Sequence, residues 1–169
     1  MNPAFSLFDI LARRADLGPE RIALVDLGRN EQLSYQQLHQ RTGRTASLLA
    51  TLGVTAGERV AVLCRNCIEF FELLFACARI GVVLVPLNWR MPAAELGPLM
   101  ADCGAPLILY GREDAATAEE LRVDGASRLG LDDAGPQGYA ARRDALAPVA
   151  GRGGWQSDET WYLLYKVGS

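Results

Sequence analysis

The chain has 169 residues, enough for one domain or a large subdomain, and half of them are apolar, so a sizeable core can be buried. A formal charge of -3, with both signs interspersed, gives no electrostatic footprint for nucleic acid or an acidic membrane surface. The most apolar stretch, residues 68–87, is interrupted by Glu69, Glu72, Arg79 and Pro86; such charges are costly at bilayer depth, so the stretch reads as core and not as a membrane span.

Met1-Asn2-Pro3 leads into neither a basic start nor a small-residue cleavage site, so a signal peptide is not expected and a cytoplasmic protein is. Residues 5–15 space Phe5, Phe8, Leu11 and Ala12 as one helical face, ended by Gly18-Pro19. Residues 21–27 read as a strand, and 28–31 as a turn into residues 32–34. Ser34 and Gln37 have the capping-box spacing, which opens a helix to about Leu52 with Leu38, Thr42, Ala46, Leu49 and Leu52 on one face. Gly53 suits the left-handed position that closes it.

A strand over 59–64 follows, then a helix over 67–80 capped by Asn66, apolar on most sides and closed by Gly81. A strand over 82–85, a helix over 92–102 closed by Gly104 and a strand over 106–110 complete the regular part. Strands and helices that alternate through short connections imply parallel strands joined by right-handed crossovers. The expected fold class is therefore α/β, a layered and mostly parallel sheet with flanking helices. Beyond Tyr110 the pattern predicts an exposed acidic helix over 113–122, a strand over 127–131, a short helix over 139–146, a Gly-rich loop over 148–157 and a final strand over 161–165.

Few residues invite chemistry. Neither a Gly-x-Ser-x-Gly elbow nor a Gly-x-x-x-x-Gly-Lys-[Ser/Thr] loop is present, and Gly151-Arg152-Gly153-Gly154 lacks the strand and helix that would make it a phosphate cradle. The acidic pairs Glu119-Glu120 and Asp132-Asp133 read as solvated surface, and His39, the sole histidine, as exposed. Cys64, Cys67, Cys77 and Cys103 all fall in predicted strands or helices, which suits reduced thiols. Cys64-Arg65-Asn66-Cys67 has the C-x-x-C spacing of a redox or zinc site; zinc needs further ligands, so the pair reads as structural.

Three segments, taken in order, resemble the adenylate-forming superfamily of AMP-binding enzymes. Residues 33–38 are similar to its early L-[ST]-Y-x-E-L element. Gly57, Val60 to Leu63, Asn66, residues 75–81 and Val85-Pro86-Leu87-Asn88 resemble its G-D-R-V-A to P-L-N stretch. Residues 158–165 resemble the strand that leads into its Ser/Thr/Gly-rich phosphate loop. Asn88-Trp89-Arg90-Met91 looks like the fatty- or aryl-acid–CoA ligase branch, because peptide-synthetase domains usually carry Asp-Pro here.

The resemblance implies part of the large N-terminal domain over residues 1–165, stopping before the phosphate loop, and an atypical tail over 166–169. It implies an acid–thiol ligase, or acyl-CoA synthetase, that joins a carboxylic acid to ATP as an acyl-adenylate with release of pyrophosphate. A thiol, normally coenzyme A, then attacks. ATP, Mg²⁺ and CoA are expected of the intact enzyme, with none bound tightly by this segment, and no catalytic residue carries over. Arg90 is the one candidate, placed by the resemblance near the nucleotide end of CoA; its alternatives are pairing with Glu95 or covering apolar surface. Among sixteen arginines the single lysine, Lys166, falls in the tail, so residues 166–169 read as the scar of a frameshift or of sequence assembly. The competing function is a non-catalytic α/β module that binds a protein partner.

Overall fold

The computed structural model describes residues 6–121, 125–152 and 154–166. At its centre is a four-stranded parallel sheet in the order β5-β4-β6-β7, formed by β4 (Arg59–Leu63), β5 (Val83–Pro86), β6 (Leu107–Tyr110) and β7 (Ser127–Gly130). Val60 and Val62 of β4 and Leu107 and Leu109 of β6 face one layer, while Ala61, Leu63 and Ile108 face the other. Burial on both faces explains why these strands read as unbroken apolar runs.

One layer holds α2 (Tyr35–Thr51) and α3 (Ile68–Ile80), whose Leu48, Leu49, Leu73, Ala76 and Cys77 are buried on the sheet. The other holds α4 (Ala93–Cys103) and α5 (Ala115–Glu120), through Leu96, Met100, Cys103 and Ala118. The predicted capping box forms in full: the Gln37 N–H donates to Ser34 Oγ, and the Ser34 N–H donates to Gln37 Oε1 at 2.8 Å. Gly81 and Gly104 close α3 and α4 at φ +74° and +60°, where a Cβ would be strained.

The hairpin of β2 (Ile22–Asp26) and β3 (Glu31–Ser34) and the short α6 (Tyr139–Asp144) lie where the pattern placed them. Several boundaries differ. The expected first helix is a strand, β1 (Ser6–Phe8), followed by α1 (Ile10–Leu17), which Asp9 caps by accepting the Ala12 N–H. The predicted loop over 148–157 contains β8 (Gly154–Gln156), antiparallel to β1. Three-residue strands are too short to show a period, and only their mutual pairing defines them.

The final predicted strand is reduced to a bridge. The Leu84 N–H donates to the Trp161 carbonyl at 3.1 Å and the Leu163 N–H to that of Leu84 at 2.8 Å, so residues 161–163 run along the free edge of β5. The acidic helix over 113–122 is a 3-10 turn, Arg112–Asp114, leading into α5, and Asp114 and Ala118 are buried. Lys166 is exposed; the remainder of the proposed tail, residues 167–169, lies outside the described residues.

Candidate functional site

Adjacent strands β4 and β6 send the chain to opposite faces of the sheet. From Leu63 the chain turns through Cys64-Arg65-Asn66-Cys67 into α3; from Tyr110 it turns through Gly111 into the 3-10 turn and α5 on the other side. In open α/β sheets such a switch point leaves a crevice outside the carboxyl ends of the strands, the usual place for a ligand. Here the crevice has a volume of about 470 Å³ and is lined by both turns, by Arg29 of the β2–β3 turn and by Asp132 after β7.

Its charges are largely consumed by one another. Arg29 Nη1 lies 2.7 Å from Glu69 Oε1, and its Nη2 lies 2.7 Å from Asp132 Oδ1. Partial burial works against the Arg29 cation, but Glu69 and Asp132 outweigh it and hold its pKa above the ordinary value. Asp132 Oδ2 also accepts the Arg112 N–H at 2.9 Å. Asp114 is buried, its Oδ2 finds no partner, and burial pushes its carboxyl above the usual range.

The Trp89 ring, which does not line the crevice, takes two guanidiniums, Arg65 from the crevice wall at 4.4 Å and Arg90 at 4.1 Å from its centroid. Arg65 also pairs with Glu113. Arg90, the sequence candidate, is exposed, donates its backbone N–H to Asn88 Oδ1, and has no carboxylate partner among the described residues. The pairing with Glu95 considered from sequence does not form; the guanidinium covers an aromatic face instead.

Three other groups depart from expectation. His39 is half-buried, with Nδ1 2.8 Å from Arg79 Nη2; burial and the Arg79 charge lower its pKa. Arg79 is itself buried and reaches Asp9 at 3.3 Å. Cys64 and Cys67 lie in the strand-to-helix turn and not in regular elements, half-buried and facing the crevice. The Asp132 carboxylate, read from sequence as solvated, belongs to the Arg29 and Arg112 contacts.

Residues 11–165 match the family of AMP-binding enzymes. The chain belongs to that family. It is 28% identical over 166 residues to the long-chain-fatty-acid–CoA ligase FadD13 of Mycobacterium tuberculosis, which covers 95% of this chain and 32% of the ligase. A feruloyl-CoA synthase of an Amycolatopsis species is 36% identical over 157 residues, covering 93% of this chain and 30% of the synthase. The fold superposes on a Mycobacterium tuberculosis fatty acyl CoA synthetase with a TM-score of 0.84 at 27% identity, over 93% of this chain and 32% of that one. The chain thus spans about a third of the length of these relatives.

The residues present do not fit a magnesium-bound triphosphate. The turn from β4 into α3 carries no glycine, its backbone is flanked by Glu69 and Asp114, and its arginines are paired or stacked. Among the described residues no three His, Cys, Asp or Glu side chains approach closely enough to hold a metal ion. Nor is any described helix long and apolar enough to cross a membrane.

Proposed function

We propose that these residues serve within an ATP-dependent acid–thiol ligase that converts a carboxylic acid, ATP and CoA into acyl-CoA, AMP and pyrophosphate through an acyl-adenylate. The observation that carries this reading is the agreement of nearly the whole chain with a fatty acyl CoA synthetase, TM-score 0.84 over 93% of its residues. Residues 1–165 act as part of the large AMP-binding domain, and 166–169 form an atypical tail. Joining carboxylate to ATP requires dense positive charge and backbone donors around the phosphates. The crevice offers neither, so ATP and Mg²⁺ are assigned to residues outside this segment, which is inactive by itself. The acid is of the fatty or aryl class, following the relatives, and the setting is cytoplasmic, in keeping with four unpaired thiols.

Arg90 is assigned to the nucleotide end of CoA. Its guanidinium is exposed, has no acidic partner among the described residues, stacks on Trp89, and can offer a phosphate two parallel N–H donors. In a ligase that contains this segment, Arg90→Ala raises the apparent KM for CoA by about tenfold or more, the worth of one charge-assisted hydrogen bond. Carboxylate-dependent pyrophosphate exchange, which precedes CoA, stays as it was. An unchanged KM for CoA removes Arg90 from the site.

A further inference from the structure

The turn from β4 to α3 does more than reverse the chain. It sets the sulfurs of Cys64 and Cys67 on the same side, 3.9 Å apart, at the wall of the switch-point crevice. Both are half-buried, whereas Cys77 and Cys103 are 0% and 2% exposed inside α3 and α4. Gly111 lines the same crevice, and a Cβ there would come within 3.3 Å of the Cys64 Cβ, so a larger residue would crowd the Cys64 side chain.

The two thiols are not equivalent. Contact with Cys64 draws the Cys67 thiol below its ordinary range; burial and Glu69 oppose this, and the nearby backbone N–H of Phe70 adds to it. The same contact, together with burial, pushes the Cys64 thiol up. Cys67 stands at the N-cap of the 13-residue helix α3, where a thiolate is favoured, so it is the sulfur placed to attack and Cys64 the one placed to resolve.

We propose that Cys64 and Cys67 form a thiol–disulfide exchange site that accepts small-molecule disulfides from the crevice. The Cys67 thiolate attacks one sulfur of the disulfide R–S–S–R, that S–S bond breaks, and R–S⁻ leaves and takes up the proton Cys67 gave. The Cys64 sulfur then attacks the Cys67 sulfur of the mixed disulfide. This closes the Cys64–Cys67 bond and expels the second R–S⁻, which takes up the Cys64 proton. Two protein thiols are oxidised and one small disulfide is reduced to two thiols. Closing the pair from 3.9 Å to a bond of about 2.05 Å tightens the turn that carries Arg65, and so acts on its Trp89 stack and its Glu113 pair. This site stands on its own geometry and does not depend on the ligase reading.

The test is incubation of the folded 169-residue chain with oxidised glutathione at a series of oxidised-to-reduced ratios, followed by acid quenching and peptide mass analysis. The peptide that spans residues 64–67 is expected to lose two hydrogens as the ratio rises, with Cys77 and Cys103 left free. Cys64→Ser is expected to trap one glutathione on Cys67, and Cys67→Ser to load Cys64 more slowly. Equal modification of all four cysteines, no loss of two hydrogens at any ratio, or faster loading of Cys64 than of Cys67 in these variants would overturn the proposal.

Discussion

Tyr139 donates its hydroxyl to Glu72 Oε2 across 2.7 Å, in a fully buried position where α6 meets α3. Glu72 is 0% exposed and is also reached by Arg143 Nη1 at 2.9 Å and Arg41 Nε at 2.5 Å, while Thr45 Oγ1 sits 2.7 Å from the same Tyr139 hydroxyl. A carboxylate taken this far from water is tolerable only with its oxygens occupied. The cluster therefore ties α6 and α2 to α3 through polar contacts set inside an apolar layer.

Removing one partner strands the others. Tyr139→Phe is expected to cost about 1–3 kcal/mol, and Arg143→Met, which leaves the buried Glu72 with one cation fewer, about 3–5 kcal/mol. Urea unfolding followed by tryptophan fluorescence measures both. Midpoints that match the parent chain would show that the cluster adds nothing to stability.

The same tyrosine sets a pH dependence. Burial first, and then the Glu72 charge, raise the Tyr139 pKa well above its ordinary value of 10.0. Below that pH the phenol is protonated in both folded and unfolded chains, and its contribution is fully present. Above it the unfolded chain releases the proton while the folded chain holds it, so stability falls as pH climbs. The urea midpoint is expected to decline from about pH 10 upward, and to decline less steeply in Tyr139→Phe. Equal slopes in the two proteins would contradict this.

Two helical glycines stand where an added Cβ would be crowded. Gly97 in α4 directly precedes Pro98, whose Cδ crowds a Cβ on a preceding residue held in helical conformation, so Gly97→Ala should gain no stability despite the better helix propensity of alanine. Gly43 in α2 faces Pro148, whose Cβ an added Cβ would meet at 2.7 Å, and the buried Arg79 guanidinium at 2.9 Å. Gly43→Ala should therefore destabilise by about 1–3 kcal/mol. Thermal melts of both variants decide it, and a stabilised Gly43→Ala would show that the Pro148 segment is free to move aside.

The regular part of the fold was legible because its signals are local. Ser34 and Gln37 spell the start of α2, Gly81 and Gly104 the ends of α3 and α4, and β-branched runs the buried strands. What escaped depends on partners far along the chain. Phe5, Phe8 and Leu11 mimic a helical face, yet Ser6 pairs with Gln156, 150 positions away. His39 falls on the polar side of α2, and only the arrival of Arg79 from α3 covers it. A signal for the buried cluster was present in the sequence: a helix apolar on most sides leaves its charged Glu72 no solvent to face, so a cation had to come from elsewhere. Which arginine supplied it was not readable, since sixteen were on offer.

The site was legible only in part. Arg90 was proposed through its motif; in the fold its guanidinium stacks on Trp89, as does that of Arg65 from the crevice wall. Arg29, Asp114 and Asp132 carry no local pattern and meet only because the sheet order brings three separate turns together.

Carboxylate-dependent pyrophosphate release from ATP tests the central claim most directly. A panel of fatty and aryl acids is supplied with ATP and Mg²⁺ to the 169-residue chain and to a longer protein that contains it. Release is expected from the longer protein alone. Release by the 169 residues themselves, above the level seen without acid, would contradict the assignment of the triphosphate to residues outside this segment.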